Sequence, residues 1–130
     1  MSVRIVRLGT APAPGEGLRI GTVRRPPRGV RKADYARKHW FDVWFPTVAP
    51  SLETMKLGLA ARTGAERKQF FRAYRAEMRE PAARHAIDML AAFSQQTNFS
   101  VGCYCEREAH CHRSALRQLL RQAGAKISED

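Results

Sequence analysis

Asn98-Phe99-Ser100-Val101-Gly102-Cys103-Tyr104-Cys105-Glu106-Arg107-Glu108-Ala109-His110-Cys111-His112-Arg113-Ser114-Ala115-Leu116-Arg117 is the stretch that decides the fold. Its first seven residues are apolar and rich in strand formers, and they read as a buried strand. From about His112 to Ala123 the apolar residues Leu116, Leu119 and Leu120 recur at helical spacing, and Gly124 suits the position just past a helix end. The unit is therefore strand, Cys-rich loop, helix. In open α/β sheets ligands collect at the carboxyl ends of strands, where loops lead into helix N-termini.

The loop concentrates five soft donors, Cys103, Cys105, His110, Cys111 and His112, within ten residues. Cys111 is expected in the first turn of the helix, at the carboxyl end of the strand that carries Cys103. Unpaired N–H groups and the helix dipole stabilise a thiolate there and also bind phosphate or sulfate. Arg113, a cation in that first turn, opposes the dipole and needs a compensating anion. The spacing His110-Cys111, five residues, Arg117 resembles the H-C-x5-R loop of protein tyrosine phosphatases, where Cys attacks phosphorus and Arg holds the oxygens. Here the loop lacks the glycine that lets amides encircle a phosphate, and Leu116 and Arg117 read as helix interior. A metal site is a competing reading, since Cys103 and Cys105 at i and i+2 of a strand face the same way. Structural zinc generally takes two ligand pairs spaced by two to four residues, and the second pair is missing. No tightly bound zinc and no cofactor are therefore expected. Plain burial of a free Cys is the bland alternative for Cys103.

Working outward, Val3 to Leu8 reads as a strand, Gly9 to Gly17 as a loop, and Leu18 to Val23 as a second strand. Arg24-Arg25-Pro26-Pro27-Arg28-Gly29 is an extended loop, because its prolines remove donors and fix φ. Trp40 to Phe45 is a buried strand or a short helical turn. Ser51 caps a helix over about 52–62, and Thr63 with Glu66 forms a capping box opening a helix to about Met78. Pro81 begins a third helix whose inward face includes Ile87, Leu90, Ala91 and Phe93. The order β–β–(β)–α–α–α–β–α gives an α/β fold, a small layered sheet with helices packed on it, in one domain spanning 1–130.

The 130 residues carry 23 Lys and Arg against 12 Asp and Glu, a net charge of +11. Residues 1–40 hold ten basic and two acidic side chains, a net of +8. Eighteen of the basic residues are Arg, whose planar fork suits phosphate and carboxylate. The expected partner is a small anionic ligand, with nucleic acid as the alternative; Tyr35, Trp40 and Trp44 could stack bases but flank an apolar run that suits a core. A 44% hydrophobic content excludes a disordered chain. A chain of this length buries about two-thirds of its unfolded surface and needs no disulfide. The apolar runs fall far short of the roughly 18 residues that span a membrane. Arginines interrupt the apolar N-terminus, so no signal peptide is expected. A cytoplasmic protein is expected, with no membrane partner.

Cys103-Tyr104-Cys105-Glu106 followed by Cys111-His112-Arg113-Ser114 and Leu116 resembles the domain of unknown function 488 family, the YeaO-like bacterial proteins. Gly15-Glu16-Gly17-Leu18-Arg19 agrees with it, as do Arg24 to Gly29, Trp44 to Ser51, and Phe71 with Tyr74, Glu77 and Met78. The family has an aspartate where this chain has Val23, and a tryptophan where it has Pro26. The resemblance implies a compact α/β domain and marks Arg24, Arg28, Asp42, Ser51, Tyr74, Cys105, Glu106, Cys111, His112 and Arg113. It supplies no activity.

The reading that joins these observations is an anionic-ligand pocket at the Cys-His-Arg turn. If the protein is an enzyme, Cys111 would be the nucleophile or redox thiol, His112 its acid/base or thiolate partner, and Arg113 the substrate-neutralising cation. Arg24, Arg28, Cys105, Glu106 and Arg117 would complete the ligand site. A nucleic-acid-binding domain without catalysis is the alternative, and a metal-binding structural module the third.

Overall fold

The computed structural model describes residues 1–129. Four parallel strands, β1 (Val3–Arg7), β2 (Leu18–Gly21), β3 (Val43–Trp44) and β4 (Phe99–Cys103), form a sheet in the order β1-β4-β2-β3. The helices are α1 (Leu52–Ala60), α2 (Gly64–Met78), α3 (Pro81–Phe93) and α4 (His112–Gln122). This is the α/β class expected, with the strand–loop–helix unit formed by β4 and α4.

β4 is central and buried at all five positions. Phe99, Val101 and Cys103 lie opposite Val3, Ile5 and Arg7 of β1, while Phe99 and Val101 also lie opposite Leu18 and Ile20 of β2. Residues two apart on a strand share a face. One face of the sheet thus presents Val3, Ile20, Phe99 and Val101 to Tyr74 and Met78 of α2, Ile87 and Leu90 of α3, and Leu116 and Leu120 of α4. Tyr74 is fully buried, and its hydroxyl donates to the Val48 carbonyl at 2.7 Å. Burial holds its phenol well above the ordinary value. Beyond the sheet edge, Val3 N–H donates to Lys126 O and Ser128 N–H to Val3 O, covering the free side of β1.

The opposite face is closed by the 9–17 and 32–42 segments. The Phe41 ring packs against Gly21, where a Cβ would sit 2.3 Å from it. Arg19, 4% exposed, donates twice to Glu16 and once each to the Thr10 and His39 carbonyls. Ser100 Oγ of β4 donates to the same Glu16 carboxylate at 2.7 Å. Burial alone would raise the Glu16 carboxyl. The hydrogen bonds from Arg19, Ser100 and the Ala13 amide outweigh it and hold the group below its ordinary value.

The helix starts follow local chemistry. Ser51 Oγ accepts from Thr54 N–H, and Thr63 with Glu66 forms the reciprocal capping box. Glu77 of α2 accepts from Ser51 N–H, Ser51 Oγ and Thr54 Oγ1, which ties α2 to the start of α1. Gly124 takes φ +95° after α4, a conformation open to glycine. Three expectations are corrected. Phe93 is 47% exposed rather than inward: Leu90, Ala91 and Ser94 take the buried face of the last turn, and Phe93 falls at the margin of that stripe. The 40–45 segment supplies only a two-residue edge strand, exposed at Val43 and Trp44; its buried residue is Phe41. β2 stops at Gly21 instead of running to Val23.

Replacing Gly21 by Ala should destabilise the protein by about 1–3 kcal/mol in chemical unfolding, since Phe41 must leave the sheet. Glu16→Gln should lower the Tm at pH 7. Because the folded carboxyl titrates below the unfolded one, its stabilisation is complete above about pH 4.5 and drains away as pH falls through the folded value. The Tm gap between wild type and Glu16→Gln should therefore narrow as pH falls from 5 to 3.

Candidate functional site

The site is built where β2 and β4 end and α4 begins. After Gly21 the chain makes one more contact with β4, Thr22 N–H and Oγ1 both donating to Gly102 O at 3.0 Å. The Thr22 carbonyl points away from that ladder and accepts from His112 Nε2 at 2.8 Å. That bond places the hydrogen on Nε2, so Nδ1 is the nitrogen that faces Cys111 Sγ, at 3.7 Å. Cys111 is the N-cap of α4, with its sulfur accepting from Arg113 N–H at 3.5 Å. The sequence thus located Cys111 within a residue of the helix start.

Cys103, Cys111 and a ring nitrogen of His112 all lie within 4.8 Å of one another. Cys103 Sγ is 3.8 Å from Cys105 Sγ. The three side chains of the first group are buried, Cys111 at 1%, His112 at 4% and Cys103 at 7% exposure, whereas Cys105 is exposed. Among the described residues all three cysteines are free thiols. The Cys103 thiol is pushed far up, chiefly by donating to Cys105 and Cys111, with burial adding. Cys105 is held down by the hydrogen bonds from Cys103 and Cys111, with the Arg113 charge adding, against the pull of burial. Cys111 is also lowered, by Cys103 first and by His112, while its bond to Cys105 and its burial oppose.

Arg113 is 3% exposed. One of its terminal nitrogens donates to the Cys105 carbonyl at 2.6 Å, and its Nε has no hydrogen-bond partner. The Arg113 charge acts on Cys105 and favours the thiolate of that residue. Arg113 sits behind the cluster and does not line the cleft in front of it.

That cleft encloses about 790 Å³ and has Cys103, Cys105, Cys111 and His112 on its floor. One wall is the 24–28 loop with Arg24, Arg25, Pro26, Pro27 and Arg28; another is Arg7, Trp40 and Tyr104. Met55, Leu59 and Phe70 supply an apolar side from α1 and α2. Trp40 and Tyr104 meet edge to face at 5.7 Å, and Tyr104 OH donates to the Arg25 carbonyl, which fastens the arginine loop to the Cys-rich one. Arg24 donates to the carbonyls of Pro46, Ala49 and Pro50, so it holds the 46–50 turn in place. Arg25 and Arg28 are exposed, and among the described residues their side chains make no hydrogen bond or ion pair.

Two expected site residues stand apart. Arg117 makes a two-pronged pair with Glu108, at 2.6 and 2.8 Å, and a longer contact with Glu129, and does not line the cleft. Glu106 is exposed and likewise lies outside it. Arg7, Trp40, Tyr104 and the Thr22 carbonyl were not singled out from the sequence as parts of the site. Trp40 had been noted only as a stacking candidate of the nucleic-acid alternative, and Tyr104 carried a signal in standing between two cysteines.

The fold and the cluster together define an α/β protein with a cysteine–histidine centre at the carboxyl edge of a parallel sheet. Over residues 3–124 the chain matches the family model DUF488-N3a, described as the active DUF488-N3 subclade, and it belongs to the domain of unknown function 488 family. No curated protein and no solved structure matches it. Among the described residues no helix is long and apolar enough to cross a membrane.

Alkylation should follow exposure. In the native protein at pH 8, iodoacetamide should label Cys105 first, with Cys103 and Cys111 reacting at least about tenfold more slowly until denaturant is added. Peptide mass spectrometry reads the order, and equal rates at all three would contradict the burial described.

Proposed function

We propose that this protein is a cysteine-dependent enzyme that takes a small anionic substrate into the arginine-rimmed cleft. The observation that carries the reading is the meeting, in one cleft, of a floor of three sulfurs and His112 with a rim of two unpaired arginines, Arg25 and Arg28. Cys105 is the sulfur that meets the substrate, because it is exposed while Cys103 and Cys111 are buried. Its electron pair would form the new bond while the leaving group departs with its own. Arg25 and Arg28 would neutralise the charge on the bound group, in a partly apolar cleft where such an interaction is stronger than in water. Arg24 acts as a positioning residue for the loop that carries them. Arg113 acts from below on Cys105 rather than on the substrate. The word active in the description of the matched subclade agrees with a catalytic role.

The test uses phosphate and sulfate as probes. Each should slow iodoacetamide labelling of Cys105 severalfold at low ionic strength, and Arg25→Ala with Arg28→Ala should abolish that protection without changing the labelling rate of the free protein. Labelling that ignores both anions would remove the anionic substrate. Protection by a single-stranded oligonucleotide and not by phosphate would transfer the cleft to the nucleic-acid reading.

A further inference from the structure

We propose that Cys103, Cys105, Cys111 and His112 bind one soft divalent cation such as zinc, in a tetrahedral site that masks the cleft thiol. The ligand spacing in the sequence argued against zinc, because Cys103-x-Cys105 and the adjacent Cys111-His112 are not a pair of zinc knuckles. The fold removes the objection by supplying one pair from the end of β4 and the other from the cap of α4.

The donor separations fit. Zn–S bonds of about 2.3 Å and Zn–N bonds of about 2.05 Å place tetrahedral ligands about 3.8 Å apart for two sulfurs and about 3.6 Å apart for sulfur and nitrogen. Cys103 and Cys105 are 3.8 Å apart, and Cys111 Sγ and His112 Nδ1 are 3.7 Å apart. Cys103, Cys111 and His112 are mutually within 4.8 Å and form three corners of the site; Cys105 lies outside that group and must turn inward from its place beside Cys103. Cys105, on the exposed side, completes the set.

The surroundings are those of a ligand set as well. A metal-binding histidine generally donates its other ring N–H to a carbonyl or carboxylate, which fixes the tautomer. His112 does this, with Nε2 on Thr22 O at 2.8 Å and Nδ1 turned toward the sulfurs. Three thiolates, one neutral imidazole and a divalent cation carry a net charge of −1. The buried Arg113, whose Nε lacks a partner and whose backbone N–H already meets Cys111 Sγ, neutralises it. Each thiol that enters the coordination sphere releases its proton to solvent.

The masking rests on the proposed function, since it assigns the cation a role as a reversible block on Cys105; the binding itself does not. Chelator-treated protein is titrated with zinc, and in parallel with cobalt, whose thiolate charge-transfer absorption reports sulfur coordination. One equivalent of zinc should survive dialysis, and cobalt should develop the absorption of a tetrahedral thiolate site. Cys105→Ser, at an exposed position that leaves the core intact, should weaken zinc binding by about tenfold or more, and His112→Gln and Cys103→Ser likewise. Zinc should suppress Cys105 alkylation at least about tenfold, and chelator should restore it. Failure to retain zinc, or retention unchanged in Cys105→Ser and Cys103→Ser, would overturn the proposal. So would zinc that binds while Cys105 is still labelled at the metal-free rate. Anion protection of Cys105 in the metal-free protein is a separate readout, so the substrate reading and the metal site can fail independently.

Discussion

The hydrogen bond from His112 Nε2 to the Thr22 carbonyl joins the first residue of α4 to the residue that follows β2. Both partners are buried, so the bond is made without competition from water, and losing one partner would leave the other unsatisfied. It fixes the imidazole in one tautomer and one direction. It also sets the distance between the cap of α4 and the end of the sheet, and with it the place of Cys111 against Cys103. The cleft, the sulfur cluster and the position of Arg113 all follow from that one distance. Tyr74 packs its ring 5.3 Å from the imidazole and anchors its own hydroxyl on Val48, so α2 holds the histidine from the other side.

Two buried arginines show how differently the fold treats a cation. Arg19 has its Nε, NH1 and NH2 engaged, by the Glu16 carboxylate and two carbonyls, and it serves as a structural pin between a loop and the sheet. Arg113 has one carbonyl bond and an unpaired Nε, with no carboxylate pair among the described residues. A buried charge without a carboxylate partner is costly unless something else carries the countercharge. Here the Arg113 charge favours the thiolate of Cys105, which links the charge state of the cluster to the presence of Arg113.

Much of this architecture was legible in the sequence because it is written locally. The capping box at Thr63, the proline at the head of α3, the glycine after α4 and the apolar run of β4 each act within a few residues, and each element formed where those signals stood. The placement of Cys111 at the mouth of α4 was legible for the same reason. What could not be read was depth. Cys111 is buried because Leu8, Val23 and Phe41 close over it, and those residues come from three separate segments. Phe93 stands at the margin of the α3 stripe, and the small polar Ser94 takes the buried position at its end. The Thr22 carbonyl is invisible to any side-chain pattern, since every residue has one. Arg117 sat at a suggestive offset from Cys111, yet helical geometry turned it toward Glu108.

The sheet order has a consequence for how the chain comes to be folded. β1 and β2 are the first two strands along the chain, yet they never touch, because β4 lies between them. Nothing in the first 98 residues can fill that gap, so a chain leaving the ribosome holds two unmatched strand edges until Phe99–Cys103 emerges. The helices α1 to α3 can form early, being local, but the sheet they cover closes only when β4 is inserted. Synthesis at roughly 5–20 residues per second keeps those edges open for several seconds, an interval in which strand pairing with other chains competes with the native partner. The strand that delivers Cys103 to the cleft is thus also the one whose arrival ends the vulnerable phase of the chain's life.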